Sequence, residues 1–291
     1  MGREGARHIP VLLEEALAWL RVRPEGVYLD ATAGLGGHTA AIARRLTSGL
    51  VVANDCDAEA LEQARRNTLR WAERIRFRCG WFSTLAAGLA ELGIAKVDGL
   101  LADLGASYAQ LTGDRGFSVW TDGPLDMRYD RSSPLTAADL VNTLNQQALA
   151  RLLYREGAER RADVIARAIL RARPLESTRQ LARVIEQVAP RTGRLHPATR
   201  TFMALRRAVN REAEELEALL RSAPELVAPG GRIVIISFMS LEDREVKQAF
   251  QEWVRRGRAV RLTKHVVRPS AEEVRNNPAA RSARLRAVEI L

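Results

Sequence analysis

Cysteine and lysine are the scarcest reactive side chains in this chain of 291 residues: two cysteines, Cys56 and Cys79, and three lysines, Lys96, Lys247 and Lys264. Two thiols support neither a disulfide scaffold nor a thiolate zinc site, and no metal site is expected. Each cysteine sits beside or inside an expected strand, so both read as buried small hydrophobes. No apolar run approaches the roughly 20 residues of a membrane-spanning helix. The N-terminal MGREGARHIPVLL has no extended apolar signal core, and Ala6 stands where a myristoylation motif needs Ser or Thr. A cytoplasmic location with no membrane partner is the expectation. Long internal repeats and low-complexity runs are absent as well.

Charge is plentiful but uneven. The chain carries 45 basic and 35 acidic residues, net +10. Residues 1–150 hold 16 basic and 18 acidic side chains, net −2, and residues 151–291 hold 29 and 17, net +12. Nearly all the basic residues are arginines, whose guanidinium forks match phosphate oxygens. A water-facing arginine-rich surface would read the same, so charge alone leaves nucleic-acid binding open.

The stretch Asp30-Ala31-Thr32-Ala33-Gly34-Leu35-Gly36-Gly37-His38 follows an apolar run, Val27-Tyr28-Leu29, and precedes a helical pattern, Ala40–Leu46. Strand, glycine turn and helix form a loop in which backbone can approach a ligand closely and helix N–H groups lie unpaired. Leu50–Asp55 reads as a second strand whose terminal acid can accept hydrogen bonds from an adenosine ribose. NAD-type and S-adenosylmethionine-type sites both fit these features. An acid four residues before Gly34 is nearer the first motif of class I methyltransferases than a dinucleotide fingerprint.

An apolar-striped helix over 10–20 precedes these strands. Downstream, Ala58–Trp71 is expected as a crossover helix, Ile75–Cys79 as the third strand, Leu85–Leu92 as a helix and Val97–Asp103 as the fourth strand, again ending in an acid. This βαβ series predicts a mostly parallel sheet with ligands beyond its carboxyl ends. Residues 104–136 carry turn signals (Gly113-Asp114, Asp122-Gly123-Pro124, Ser133-Pro134). Phe117 and Trp120 in this segment are candidates to stack on bases or simply to pack the loop. Helices are expected over Ala137–Val141, Gln146–Leu153, Ala158–Arg171, Ser177–Val188 and Thr199–Leu220, with Thr136 and Ser177 as candidate caps. Strands resume at Gly230–Phe238, with Val260–Val267 and Ala283–Ile290 as the last two. The fold class is therefore α/β, a Rossmann-like sheet domain formed by 1–105 and 216–291, with a mainly helical domain, 106–215, inserted for substrate recognition.

Methylation at carbon 5 of a pyrimidine commonly needs a cysteine nucleophile, and neither Cys56 nor Cys79 follows the fourth strand. Transfer to nitrogen or oxygen needs mainly alignment and a place for a proton. The Asp/Asn-Pro-Pro-aromatic motif of many amino methyltransferases is absent, and Asp103-Leu104-Gly105-Ala106-Ser107 stands in its place. Asp103 is the candidate catalytic residue as a hydrogen-bonding acid rather than a strong base. His38 reads either as a cofactor-loop contact or as a turn-stabilising histidine.

The ordered motifs resemble the bacterial small-subunit ribosomal RNA methyltransferases that modify cytidine N4, the MraW or RsmH family, over nearly the whole chain. They run from His8-Ile9-Pro10-Val11-Leu12-Leu13-Glu14-Glu15 through Asp30-Ala31-Thr32, Gly36-Gly37-His38 and Leu101-Ala102-Asp103-Leu104-Gly105. Asp114-Arg115-Gly116-Phe117-Ser118, Asp122-Gly123-Pro124-Leu125-Asp126-Met127-Arg128 and His196-Pro197-Ala198-Thr199-Arg200-Thr201-Phe202 are especially specific. So are Val209-Asn210, Ser240-Leu241-Glu242-Asp243-Arg244 and Asn277-Pro278 with Arg281-Ser282-Ala283. The resemblance implies a class I S-adenosylmethionine-dependent methyltransferase domain with a helical insertion, acting on a cytidine in the decoding centre of 16S ribosomal RNA. The substrate would be the RNA within the small subunit or an assembly intermediate, with a homodimer left open. Matching positions imply Gly36, Gly37, His38, Asp55, Phe82, Asp103 and Gln110 around the cofactor. Asp126, Arg128, His196, Arg200, Asn210, Glu242 and Arg244 are implied on the substrate side or at the joint between lobes. The chain departs from the family pattern at Met239 (usually His), Tyr108-Ala109 (Ser-Pro), Cys56 (Arg), Met203 (Gln) and Ala279 (Arg). Two other readings accommodate those departures: a related methyltransferase with another RNA acceptor, and a non-catalytic ribosome-assembly protein.

Overall fold

A computed structural model describes residues 9–189, 191 and 195–291; His8 and the side chain of Tyr108 lie outside what it describes. Seven strands form one sheet: β1 (Val27–Asp30), β2 (Leu50–Asp55), β3 (Ile75–Cys79), β4 (Val97–Asp103), β5 (Val227–Ser237), β6 (Ala259–Arg261) and β7 (Arg284–Ile290). Their order is β3-β2-β1-β4-β5-β7-β6. The first five run parallel, and β7 is antiparallel to both β5 and β6.

The central strands are short apolar runs because both faces of a parallel sheet are covered. Alternate residues feed two cores. Leu29, Val52, Leu100, Ala102, Ile233 and Ile235 pack on one face with Leu85, Leu89, Leu216, Leu219, Val246 and Phe250 from helices. Tyr28, Val51, Ala53, Leu101, Val234 and Ile236 pack on the other with Leu12, Leu17, Ile42 and Leu61. Truncating a fully buried leucine such as Leu100 to alanine is expected to cost about 2–5 kcal/mol.

The chain divides into two units, one reaching to Gly105 and resuming over Glu215–Leu291, the other Ala106–Glu214. The second holds a short helix, Tyr108–Thr112, an irregular stretch, and helices Ala137–Thr143, Gln146–Gly157, Ala162–Ala172, Thr178–Val188 and Thr199–Val209. Leu149 with Leu153, Ile165 with Ile169 and Leu181 with Ile185 are fully buried pairs at the i,i+4 spacing of one helix face. Thr136 and Ser177 each form a capping box, with Asp139 and Gln180 respectively. At Gly157 an added Cβ would lie 2.5 Å from the Arg200 carbonyl and 2.9 Å from Ala204 Cβ, so two helices cross there with no room for a side chain.

Four expectations need correction. The expected helix Ala58–Trp71 ends at Asn67 and continues as a 3-10 turn, Leu69–Arg74, after Thr68 turns its hydroxyl back to the Ala64 carbonyl. The expected helix Thr199–Leu220 breaks at Asn210 and at Arg211, whose φ is 48°; a second helix follows over Glu212–Leu226. The amphipathic period runs through this break, and side-chain bonding by Asn210 imposes it. The strand expected over Val260–Val267 is only Ala259–Arg261, with Val267 returning as an isolated bridge to Leu285. Finally, Cys79 is exposed, because it ends β3 at the sheet edge, and Cys56, in the turn after β2, is half-buried.

Candidate active site at the carboxyl ends of the strands

Three acids end neighbouring strands: Asp30 on β1, Asp55 on β2 and Asp103 on β4. Parallel register aligns those ends, with Asp30 opposite both Ala53 and Leu101. Asp30 is fully buried and builds the loop after it. One oxygen accepts the Thr32 N–H at 3.2 Å and the other the Thr39 hydroxyl at 2.6 Å. Thr32 in turn accepts the Asp103 N–H at 2.6 Å, tying β1 to the end of β4.

The loop needs its glycines for two reasons. Gly34 and Gly36 have φ of 50° and 86°, where a Cβ is strained. A Cβ on Gly36 would also lie 2.8 Å from Thr68, and one on Gly37 2.4 Å from Pro10. The helix Gly37–Arg45 starts directly behind and no side chain caps its first turn. A helix start of this kind presents N–H donors toward a ligand.

Asp55 joins this loop to the following turn. Its oxygens accept the Gly34 N–H at 2.8 Å and the Asp57 N–H at 2.9 Å. Each carboxylate oxygen keeps a further lone pair for a hydroxyl. Burial pushes both Asp30 and Asp55 up to about 6, against hydrogen bonds that pull them down. Asp103 is raised well above the ordinary carboxylate range, by burial first and by the Asp30 charge second. Its Oδ1 is shielded from solvent and has no hydrogen-bond partner among the described residues. The Oδ2 lies 3.8 Å from Nδ1 of buried His38, whose Nε2 is 3.1 Å from the Val11 carbonyl. Since that carbonyl only accepts, Nε2 carries a proton, and Nδ1 is the ring atom turned to Asp103.

The remaining expected residues are placed as follows. Phe82 is half-buried, packs on the apolar core and opens a 3-10 turn. That turn is fixed by Glu215, which accepts the Ser83 N–H at 2.8 Å and its hydroxyl at 2.9 Å. Glu242 is buried, and its Oε2 accepts the Phe238 and Met239 N–H groups at 3.2 and 3.0 Å, shaping the turn after β5. Arg244 is exposed on the helix Ser240–Arg255.

In the helical unit, Gln110 accepts the Ser107 N–H at 2.8 Å, closing a capping box. Asp126 and Arg128 form a bidentate pair at 2.7 and 3.0 Å. Arg128 also donates to the carbonyls of Arg131 and Ser133. Burial raises Asp126, but the Arg128 bonds outweigh it and leave the carboxyl below its usual range. Buried Asn210 accepts the Tyr129 N–H at 2.7 Å and donates to the carbonyls of Met127 at 2.7 Å and Arg206 at 2.8 Å. Phe117 is buried and stacks on Tyr129 at 5.4 Å, which assigns it to packing rather than to a base. Trp120 is 72 % exposed, His196 is engaged by Glu186 at 2.8 Å, and Arg200 is exposed.

Sequence reading passed over several residues that build the strand-end site. Thr32 and Thr39 hold Asp103 and Asp30, and buried Asn54 donates to the Ala31 and Gly80 carbonyls at 3.1 and 3.0 Å. Thr32 lay within the quoted Asp30-Ala31-Thr32 motif, while Asn54 carried no signal beyond a polar residue inside an apolar strand.

The strand ends thus offer acceptors in excess of donors, one of them buried and unpartnered, beside a glycine loop and a bare helix start. A ligand rich in N–H and O–H groups and carrying positive charge fits this chemistry. Sheet order, the antiparallel β7 and the strand-end acids together define a Rossmann-like S-adenosylmethionine-dependent methyltransferase fold.

The chain belongs to the MraW methylase family, whose profile matches residues 5–291. It is 59% identical over 284 residues to a protein of Solibacter usitatus named Ribosomal RNA small subunit methyltransferase H, covering 97% of this chain and 99% of that one. Proteins of the same name from Acidobacterium capsulatum and Syntrophobacter fumaroxidans are 49% and 45% identical, covering 98% and 97% of this chain and 99% and 96% of theirs. The protein is a methyltransferase, and S-adenosylmethionine is its cofactor. Among the described residues no helix is long and apolar enough to cross a membrane.

Proposed function

We propose that this chain transfers a methyl group from S-adenosylmethionine to N4 of a cytidine in the decoding centre of 16S ribosomal RNA, within the small subunit or an assembly intermediate. The observation that carries the residue-level reading is the buried, unpartnered Oδ1 of Asp103 at the end of β4. An acceptor held there without a donor has been desolvated at a cost that a bound N–H offsets.

S-adenosylmethionine, when bound, supplies a methyl group made electrophilic by its sulfonium. Gly36, Gly37 and the helix start would hold the loop side of that cofactor, and Asp55 would receive its ribose hydroxyls. Asp103 accepts an N–H and so turns the amino lone pair of the base inward. Methylation would make the nitrogen acidic, and water would remove its extra proton. Asp103 is a positioning acceptor in that step, so no strong base is required. His38 lies on the far side of the Asp103 carboxylate, its Nδ1 3.8 Å from Oδ2. Carbon-5 chemistry lacks its nucleophile, since Cys56 follows β2 and Cys79 ends β3.

Met239 does not weaken this reading. It is 8 % exposed, and the turn it occupies is shaped through backbone N–H groups bound by Glu242. Its side-chain polarity is therefore not what holds the turn.

Nucleoside mass spectrometry of 16S RNA from small subunits incubated with the enzyme and S-adenosylmethionine tests the proposal. The expected product is N4-methylcytidine. A ribose-methylated or carbon-5 product, or none, contradicts it.

A further inference from the structure

The helical unit carries a hollow lined by Trp120, Asp122, Arg179, Arg183, Glu186 and His196, among others. Its aromatic side is unusual. Trp120 is 72 % exposed, yet its ring is set edge-to-face on His196, with centroids 5.0 Å apart and planes at 79°. The imidazole is itself locked. Its Nδ1 accepts the Ala198 N–H at 3.2 Å, so Nε2 bears the proton and donates to Glu186 at 2.8 Å. A neutral, oriented histidine thus steadies an indole that burial does not hold.

The charged residues of the hollow are two arginines and two carboxylates. Arg179 is committed, with its side chain 3.4 Å from Asp122 and its N–H on the same carboxylate at 3.2 Å. Arg183 is exposed and has no carboxylate partner among the described residues. A balanced set of donors and acceptors around an aromatic face is poorly suited to gripping phosphate alone. It suits a heteroaromatic ring with polar edges, attached to a phosphate. Stacking on tryptophan accepts any base, a carboxylate can accept an exocyclic amino group, and a free guanidinium can take the adjoining phosphate.

We propose that this hollow is a nucleobase subsite of the helical unit, with a base of the substrate RNA stacked on Trp120 and its phosphate on Arg183. The inference rests on the RNA-substrate reading and adds a second point of attachment to it. This base is not the methyl acceptor, and its role is to fix the register of the strand.

The full-length chain would be tested as wild type, Trp120→Ala, Trp120→Phe and Arg183→Glu. Affinity would be measured by filter binding to naked 16S RNA and to small subunits, with thermal unfolding and calorimetric S-adenosylmethionine binding in parallel. Trp120→Ala should weaken naked-RNA binding about tenfold or more, as loss of a base stack does, and Trp120→Phe should restore most of it. Arg183→Glu should weaken it also, and unfolding and cofactor binding should be unchanged in all three. Normal naked-RNA binding by Trp120→Ala, or no RNA binding by wild type, overturns the subsite. Loss confined to intact subunits also overturns it, and points to a protein contact instead. RNA binding is read without turnover, so a wild type that binds RNA through Trp120 yet yields no N4-methylcytidine fails the function and keeps the subsite.

Discussion

Polar residues at the strand ends and those of the helical unit meet opposite fates. Asp30, Asp55 and Asp103 are crowded together, all raised by burial, and one Asp103 oxygen has no partner. In the helical unit Asp126, Arg128 and Asn210 are bonded on nearly every side, and the Arg128 pair holds Asp126 below its usual range. All six are singled out in the sequence, and the motifs of the helical unit are the more specific ones. Motif strength therefore does not separate ligand-holding groups from frame-building ones, whereas hydrogen-bond saturation does. Unsatisfied buried groups await a partner, and satisfied ones resist being moved.

The largest effect that could break this contrast belongs to Asp103. Asp103→Asn should slow single-turnover methyl transfer about 100-fold or more through lost alignment. Its stability at neutral pH should be unchanged or higher, since a buried carboxylate raised by burial opposes folding when ionised. Near-normal turnover with a lowered unfolding midpoint would place Asp103 among the frame residues instead.

The frame side makes the reverse forecast. Asn210→Ala strands the Tyr129 N–H and the Met127 carbonyl, while the Arg206 carbonyl keeps the backbone N–H of residue 210, and should cost about 2–4 kcal/mol in urea unfolding. Cofactor affinity of the folded fraction should not change. A stability loss below about 0.5 kcal/mol, the range of an ordinary surface substitution, would contradict the clamp.

Two arginines sharpen the comparison further, at a smaller scale. Arg200 is exposed, so Arg200→Ala should reduce the slope of log affinity for RNA against log salt by about 0.7–0.9, one phosphate contact, and leave stability intact. Arg128→Ala should leave that slope unchanged and lower stability, since its guanidinium is spent on Asp126, Arg131 and Ser133. A slope change from Arg128→Ala alone would reverse the two assignments.

Sequence carried the strands and their acids well, because buried parallel strands are short apolar runs and their polar ends stand out. What it could not carry is tertiary. Asn210 breaks an apparently continuous amphipathic helix by bonding to Met127 and Tyr129, some eighty residues away. Cys79 is exposed because β3 is an edge strand, and strand order is not written in a strand's own residues. Phe117 and Trp120, three residues apart in one irregular stretch, end up respectively buried and open. The motif around Arg128 does not show that its guanidinium bonds Asp126 and the Arg131 and Ser133 carbonyls. The glycine loop was legible in kind, but the Thr32 and Thr39 hydroxyls that hold its acids were not distinguishable from other small polar residues.

Strand-end acids that act as cofactor acceptors make S-adenosylmethionine binding depend on pH, and calorimetry across pH tests this most directly. Asp55 ionises at about 6 in the folded chain, so below that value it is protonated and loses acceptor capacity. Affinity should rise as pH increases through about 6, and below it should fall by up to about tenfold per pH unit. Cofactor-free stability should run the other way, falling as pH rises from about 4 to about 6, where the folded state binds the extra proton. Asp55→Ala should bind about tenfold or more weakly at neutral pH, consistent with loss of a charge-assisted hydrogen bond, and should show a flattened profile. Wild-type affinity that is flat over this range, together with unchanged binding by Asp55→Ala, would contradict the assignment of the strand-end acids to the cofactor.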